Sequence, residues 1–264
     1  MIGRVSALLV LLAAVVAGGW YYRSSNLAHV STASPDEVVV DNEWLENLHS
    51  QNPRIAEAAV ARVTEMGATA LPEVQAVLRD PGAETSRKKA SLKAAGILGP
   101  IARPALNDVA AHLPIPDYTT EAAVALSFMG RDAFPPLRDA LGSDDPIVRR
   151  EALRSLGKLR DRAPLDSRAV VPLLLDGLED PEPSVRVVAA TYLGIIHEAG
   201  DTAVPALVEM LADEDAEVRS AAAAALGSFG AAAEPAIPAL KKAAADRDEN
   251  VAREAGLALV KLQK

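Results

Sequence analysis

The chain lacks cysteine entirely among its 264 residues. It therefore has no disulfide, no thiolate nucleophile and no zinc–thiolate site. Aromatic residues are also scarce, at 3% of the chain, although half of all residues are hydrophobic. The buried surface must come mainly from Ala, Leu and Val, which favours packed helices over sheets rich in aromatic and β-branched residues. The composition predicts an all-α fold.

Basic residues are in deficit, since 27 Lys and Arg stand against 36 Asp and Glu, a formal net charge of −9 at pH 7. Binding to nucleic acid rests largely on the neutralisation of phosphates by Lys and Arg, so we expect no nucleic-acid partner. The sequence contains no Gly-rich phosphate loop, no nucleophile elbow and no histidine cluster with ligand spacing. We therefore expect no cofactor, no metal and no small-molecule substrate.

Long apolar runs are absent except at the N-terminus, where residues 5–22 carry no charge and are almost wholly apolar. In a helix this run would span roughly 27 Å, close to the hydrocarbon thickness of a bilayer. Residues 1–23 are therefore predicted to be a transmembrane anchor, or alternatively a signal peptide cleaved after the small residues near Ala17. Residues 24–35 are predicted to be a flexible tether. Either interpretation places the rest of the chain outside the cytoplasm, in a periplasm or cell envelope, as a single-pass membrane protein or a secreted one.

Proline and glycine mark a repeat along the remainder of the chain. Six prolines recur every 32 to 36 residues, and an apolar residue followed by Gly recurs with a similar period. Each unit has the pattern of a helix opened by Pro, a turn often containing Asp-Pro, and a second helix that ends near Gly. A fixed period of this length predicts stacked helix pairs, because one pair alone cannot bury its apolar stripe. The prolines are Pro72, Pro104, Pro136, Pro172, Pro205 and Pro238.

Three phrases make the repeat specific: Asp-Pro-Ile-Val-Arg at 145–149, Val-Pro-Ala-Leu-Val-Glu-Met-Leu-Ala-Asp at 204–213, and Glu-Val-Arg-Ser-Ala-Ala-Ala-Ala-Ala-Leu-Gly at 217–227. With them the chain resembles the HEAT repeat family, in the short bacterial form seen in phycobilisome lyase-type repeats. The resemblance covers roughly residues 36–264 and implies a right-handed α-solenoid of about seven helix pairs. The third unit departs from the pattern at residues 114–117, which puts regular stacking there in doubt. The pairs are expected at about 36–67, 68–99, 100–130, 131–162, 163–200, 201–230 and 231–264.

The resemblance also implies a ladder between neighbouring repeats, formed by the turn Asp and the Arg that follows it. A carboxylate in that position can accept hydrogen bonds from turn amides and from a guanidinium of the neighbouring repeat. The role is structural, since these residues occur once per repeat as a packing device would. Arg253 is a weaker match in the last unit. The ladder residues are expected to be Asp145, Asp180, Asp213, Arg149, Arg186 and Arg219.

A row of basic residues is the candidate binding feature. At 100° per residue, Arg150, Arg154 and Lys158 lie opposite the apolar stripe of their helix. The resemblance places the second helices on the concave side of the stack, so this row would face the groove. In the next repeat the same register gives Val187 and Ile195, an apolar pair beside the basic row. Such a row can be an ordinary solvated helix face. Alternatively, and as the candidate site, these five residues are expected to bind a protein segment with an acidic end and an apolar body.

These observations predict a non-enzymatic scaffold or adaptor, tethered to a membrane and facing away from the cytoplasm. Two alternatives remain open. One is a HEAT-repeat enzyme such as a lyase-like protein, and the other is a mechanical spacer. The outward apolar pair Val187 and Ile195 weighs against the spacer, and the lack of a paired base or nucleophile beside the basic row weighs against the enzyme.

Overall fold

The structure is a computed structural model that describes residues 43–162 and 167–263, all within one compact unit, Val40–Lys264. In this part of the chain every regular element is helical, as the composition predicts. Short 3₁₀ segments, such as Gly67–Ala70 and Gly99–Ala105, join several of the helices. The α-helices are α1 (Trp44–Asn47), α2 (Pro53–Met66), α3 (Leu71–Arg79), α4 (Thr85–Leu98), α5 (Leu106–Ala110), α6 (Thr119–Phe128), α7 (Phe134–Asp139), α8 (Pro146–Arg162), α9 (Ser167–Gly177), α10 (Pro183–Ile196), α11 (Gly200–Met210), α12 (Ala216–Leu226), α13 (Ile237–Ala243) and α14 (Glu249–Leu262).

Over residues 43–162 and 167–263 the helices form seven consecutive pairs, from α1–α2 to α13–α14. The even-numbered helices from α2 to α14 make one continuous layer, in which each helix packs on the next even-numbered one. The odd-numbered helices pack against their partners in that layer. The all-α solenoid of seven helix pairs is thus confirmed.

Local sequence explains where these helices begin. At α2 the side chain of Asn52 accepts the backbone N–H of Arg54 at 3.1 Å, and Pro53 occupies the first helical position. At α12 and α14 the carboxylates of Asp215 and Asp248 each accept two backbone N–H groups of the first turn. Acidic caps suit this position because the N-terminal end of a helix carries a partial positive charge.

Small residues let neighbouring even-numbered helices approach closely. A Cβ added to Gly194 would lie 2.7 Å from the Cα of Ala225, and one added to Gly227 would lie 3.0 Å from the Cα of Ala258. Gly96 faces Ala125 in the same way at 3.3 Å. The Ala- and Gly-rich sequence therefore sets the spacing of the layer, since close-packed interiors leave no room for an extra carbon.

The third pair is irregular, as its sequence predicts. Its first helix, α5, is short, and turns occupy residues 111–118. Thr119, the first residue of α6, donates its hydroxyl to the carbonyls of Leu113 and Ile115 in these turns. The stack nevertheless continues through α6, because Ser155 Oγ of α8 donates to the carbonyl of Ala123 at 2.9 Å and Ala125 packs against Gly96. The irregularity is therefore confined to α5 and the turns after it, and α6 stacks regularly between α4 and α8.

The predicted membrane anchor is not supported. Within the described residues no helix is both long and apolar enough to cross a bilayer. The segments predicted as anchor or signal peptide, 1–23, and as tether, 24–35, lie outside the described residues. The predicted location, a single-pass membrane protein with its repeats on the extracytoplasmic side, is therefore not supported.

Candidate functional site

The ladder implied by the repeat pattern is present between the later repeats. Arg186 donates from Nε and Nη2 to the two carboxylate oxygens of Asp213, at 2.9 Å each, and from Nη1 to the carbonyls of Asp180 and Pro181. Arg149 makes the same contacts to Asp180 at 2.7 and 2.8 Å. A guanidinium fork matched to a carboxylate adds geometric specificity as well as energy, so each rung fixes the position of the next repeat.

The ladder differs from the prediction at both ends. Each Arg reaches the Asp of the following repeat, so Arg219 pairs with Asp246, which the sequence reasoning missed. Asp246 could have been found from its position one repeat length after Asp213. The inclusion of Asp145 was wrong, since its carboxylate accepts the N–H of Ile147 and no guanidinium in the described parts of the chain contacts it.

Arg253 is not a rung of the ladder either. One repeat length after Arg219 the chain has Ala252, and Arg253 lies one residue later on the exposed side of α14. Its guanidinium pairs with the neighbouring Glu254 at 3.2 Å. The weak match in the sequence therefore marks a surface ion pair.

The ladder shifts the acid–base behaviour of its carboxyl groups. Burial acts to raise the pKa of Asp180, but hydrogen bonds from Arg149 and from the backbone N–H of Glu182 outweigh it and lower the pKa. The hydrogen bond from Arg219 lowers the pKa of Asp246, helped by the N–H of Asp248. The lowered pKa values favour the ionised form of both groups, which the ion pairs require.

The basic row on α8 surrounds a buried carboxylate that sequence reasoning did not single out. Glu151 is 3% exposed, and it accepts a hydrogen bond from Arg150 Nε at 3.0 Å. Arg154 Nη1 lies 2.9 and 3.0 Å from the two oxygens of Glu151. Both arginine side chains are partly exposed, and Glu151 holds their guanidinium groups in place. Lys158 follows in the same row and is partly buried.

The predicted apolar pair lies on the helix next to this row. Ile195 is 47% exposed, and Val187 is partly buried two turns earlier on α10. Thr191 stands between them, with its hydroxyl donating to the carbonyl of Val187. Because α10 packs directly on α8, the structure brings all five predicted binding residues onto two adjacent helices. Their role in binding stays a prediction.

The positions of the basic row on α8 have equivalents on the other even-numbered helices, and together they form one surface along the layer. We call this surface the even-helix face. It consists of the solvent-facing side chains of α4 to α14, at the positions that correspond to the basic row of α8. Sequence reasoning did not follow it into α4 and α6, although the position of Gly96 relative to Gly157 would have identified the equivalent residues. The face includes Lys89, Lys93, Val124, Phe128, Arg150, Arg154, Lys158, Val187, Ile195, Ser220, Ala224, Arg253 and Leu257.

Between α12 and α14 the even-helix face has a shallow hollow of about 310 Å³. It is lined by the small side chains Ser220, Ala221 and Ala224 of α12 and by four charged residues, Glu217, Asp248, Arg253 and Glu254. The small side chains of α12 create the hollow where α8 carries arginines at the equivalent positions.

The structure shows no constellation for metal chemistry in the residues that it describes. Over 43–162 and 167–263, no three His, Asp or Glu side chains are grouped to hold an ion. His112 is buried, with Nδ1 2.8 Å from the carbonyl of Asp108 and its ring edge-on to Tyr118. His197 ends α10 in a left-handed conformation beside the carbonyl of Ile195. Both have structural roles in this geometry.

Comparison with known families agrees with this geometry. Residues 171–260 match the model for HEAT repeats, and residues 148–180 match the model for the PBS lyase HEAT-like repeat. Both matches support the HEAT repeat family. The matched residues include the three rungs described above, Arg149–Asp180, Arg186–Asp213 and Arg219–Asp246. No curated protein matches the chain.

Solved structures give a likeness of fold. Kap121p bound to Nup53p aligns with a TM-score of 0.59 and 15% identity, over 79% of this chain and 27% of that one. An engineered protein aligns with a TM-score of 0.47 and 23% identity over 84% of this chain and 95% of that one. A designed armadillo repeat protein aligns at 0.44 and 19% identity over 83% and 98%. The likeness to Kap121p shows a shared helical-repeat fold, and the chain spans only about a quarter of that protein.

Proposed function

We propose that this HEAT-repeat chain is a non-enzymatic scaffold that binds a segment of a partner protein on its even-helix face. The single observation that carries the proposal is the exposed Ile195, which lies on α10 beside the arginine row of α8. A single exposed apolar side chain is common on protein surfaces. Here, however, it lies beside two arginines held in place, so the surface combines an apolar part with a positively charged part. Such a surface suits a segment with an acidic end and an apolar body.

The arrangement of Arg150 and Arg154 supports this proposal. Glu151 engages Nε of one guanidinium and Nη1 of the other, so the remaining N–H groups are available to a second acceptor. The internal carboxylate also limits the motion of both side chains, which reduces the entropy lost when a partner binds. The cluster carries one net positive charge and can therefore attract an acidic group of the partner.

The proposal of a non-covalent role rests on the nature of the titratable groups on this face. The carboxylate nearest the basic row, Glu151, is buried beneath two arginines and cannot reach a substrate as a base or nucleophile. Kap121p, which shares the fold, is described as bound to another protein, Nup53p. We extend that mode of action, binding a protein, to the present chain.

Affinity capture from an extract of the source cells tests the proposal. The intact chain is compared with a variant in which Arg150→Gln and Arg154→Gln remove both charges while the amides can still donate to Glu151. We expect the variant to lose at least one partner that the intact chain retains. It should unfold at a lower temperature, because buried Glu151 loses both cations, while its helical circular dichroism at the temperature of the capture is unchanged. The matched control is Lys241→Gln with Lys242→Gln, which removes two exposed charges from α13. Equal capture by all three chains would contradict the proposed site.

A further inference from the structure

The even-helix face alternates in chemistry between successive helices in its N-terminal half. At equivalent positions α4 presents Lys89 and Lys93, α6 presents Thr120 and Val124, and α8 presents Arg150 and Arg154. One turn further, α6 has Phe128 where α8 has Lys158. Val124 is among the exposed large hydrophobic residues of the chain, and Phe128 is partly buried. An apolar step therefore lies between two basic steps.

Each basic step is already oriented by contacts within the chain. Lys89 pairs with Glu121 at 3.0 Å, much as Arg150 and Arg154 pair with Glu151. Lys93 Nζ donates to the carbonyl of Leu48 at 2.7 Å, and burial lowers its pKa. Each lysine ammonium has three N–H donors, so Lys93 can also donate to a carboxylate of a partner. Both steps keep a net positive charge after the internal pairs are counted.

The spacing of the two basic steps follows from the close packing of the layer. Small residues hold α4 against α6, and Ser155 bonds α8 to α6, so neighbouring axes lie about 8–10 Å apart. The steps on α4 and α8 are then about 16–20 Å apart. A chain in the polyproline II conformation advances about 3.1 Å per residue and brings every third side chain to the same face, so about six residues cover that distance.

We propose that the faces of α4, α6 and α8 bind an extended, polyproline II-like peptide that carries two acidic side chains about six residues apart, with an apolar side chain midway. The acidic groups lie on Lys93 and on the Arg150–Arg154 pair, and the apolar group lies on Val124. This inference rests on the proposed function, since it names the chemistry of the segment bound on the same face. It adds α4 and α6 to a site that the sequence placed on α8 and α10 alone.

A peptide fits this face better than a nucleic acid strand. A strand carries a charge at every nucleotide and gains most of its affinity from continuous neutralisation of phosphates. Here the basic steps are interrupted by Val124, and the chain as a whole carries a net charge of −9. The apolar step instead rewards a segment with an uncharged centre.

Fluorescence anisotropy with synthetic peptides tests the spacing on the full chain. The probes are blocked, labelled peptides of one composition, containing two Glu and one Leu in a Ser–Gly background. In one peptide the Glu residues are about six positions apart with Leu midway, and in the other they are about three apart. We expect the wide spacing to bind at least about tenfold more tightly, because only it reaches both basic steps.

Variants separate this inference from the proposed function. Lys93→Met keeps the aliphatic stem and should bring the affinity for the wide peptide down to that for the narrow one, whereas Lys241→Met on α13 should change neither. Equal affinity of the intact chain for both peptides would overturn the inference. If the Arg150→Gln and Arg154→Gln variant then bound neither peptide, the binding site on α8 would still be supported. Failure of both peptides to bind, or equal competition by a single-stranded oligonucleotide of the same charge, would also overturn it. The proposed function would then still be judged by its own capture experiment.

Discussion

At the scale of single residues, the ladder arginines combine burial with full use of their donors. Arg186 is largely buried and holds both a carboxylate of the next repeat and two carbonyls of its own turn. We expect Arg186→Ala to lower the free energy of unfolding by roughly 3 to 5 kcal/mol, because it leaves a buried carboxylate without its partner. Urea unfolding followed by circular dichroism measures the change.

Arg79 provides a control of similar geometry and different burial. Its guanidinium also grips an aspartate, Asp108, with two hydrogen bonds, but the arginine side chain is 62% exposed. We expect Arg79→Ala to cost less than about 1 kcal/mol, as for other exposed pairs. Equal effects of the two substitutions would show that burial of the ladder adds nothing to its strength.

The lowered pKa of Asp246 predicts how stability responds to acid. A carboxyl whose pKa is lower in the folded chain stabilises it above the unfolded value, about 3.9, and loses that contribution as the pH falls through the folded value. Asp246→Asn should therefore lower the melting temperature at pH 7, and the difference from the parent should shrink towards pH 3. Asp132→Asn, in an exposed pair with Arg103, is expected to change little at either pH. A difference that stays constant from pH 7 to pH 3 would refute the assignment.

Residue roles were predictable from the sequence only where they repeat. The recurring Asp and Arg predict a ladder, and the structure contains it between the later repeats, displaced so that Asp246 takes part and Asp145 does not. Glu151 could not be assigned in advance, because it occurs next to an arginine in a helix where a solvated charge is the ordinary expectation. Its burial depends on how α8 packs against its neighbours.

At the scale of helices, two glycines of the even-numbered layer, Gly194 and Gly256, are expected to respond in opposite ways to substitution by alanine. Gly194 lies against the backbone of Ala225, so a methyl group there must push α10 from α12. We expect Gly194→Ala to destabilise the chain by about 1 to 3 kcal/mol, despite the better helix propensity of alanine. Thermal unfolding of the purified variant measures this.

Gly256 in α14 is the matched site, because a Cβ added there would meet nothing within 4 Å. Gly256→Ala should therefore stabilise the chain by about 0.5 to 1 kcal/mol, through helix propensity alone. If both substitutions stabilised the chain to the same degree, the close contact at Gly194 would not set the spacing of the layer.

The elements themselves were predictable because their signals are local. Pro at the first turn, Asp at the cap and Gly near the end fixed the seven pairs close to where the structure has them. The contacts between pairs were less accessible, since they depend on which face of each helix is small. Gly157 shows this, because it faces the ring of Tyr192 where Gly96, Gly194 and Gly227 face alanine. Nothing in the sequence of α8 alone predicts that exchange.

At the scale of the whole molecule, a stack of seven helix pairs presents one long face built from equivalent positions. The ladder and the close-packed glycines hold these positions in register, so side chains along the face can differ in chemistry and size while the backbone spacing is kept. The repeat pattern predicted that face and its basic row. It did not predict that the row is internally clamped, nor that a second basic step lies on α4.

The substitution Ile195→Asp tests the central claim most directly, because this side chain is 47% exposed and its loss breaks no internal polar contact. The measurement is capture of the partner by this variant, compared with the intact chain and with Ile101→Asp. Ile101 is 50% exposed and lies in the 3₁₀ segment between the second and third pairs, away from the even-helix face. We predict that Ile195→Asp loses a partner that Ile101→Asp retains. Retention of every partner by both variants would contradict a binding site on the even-helix face.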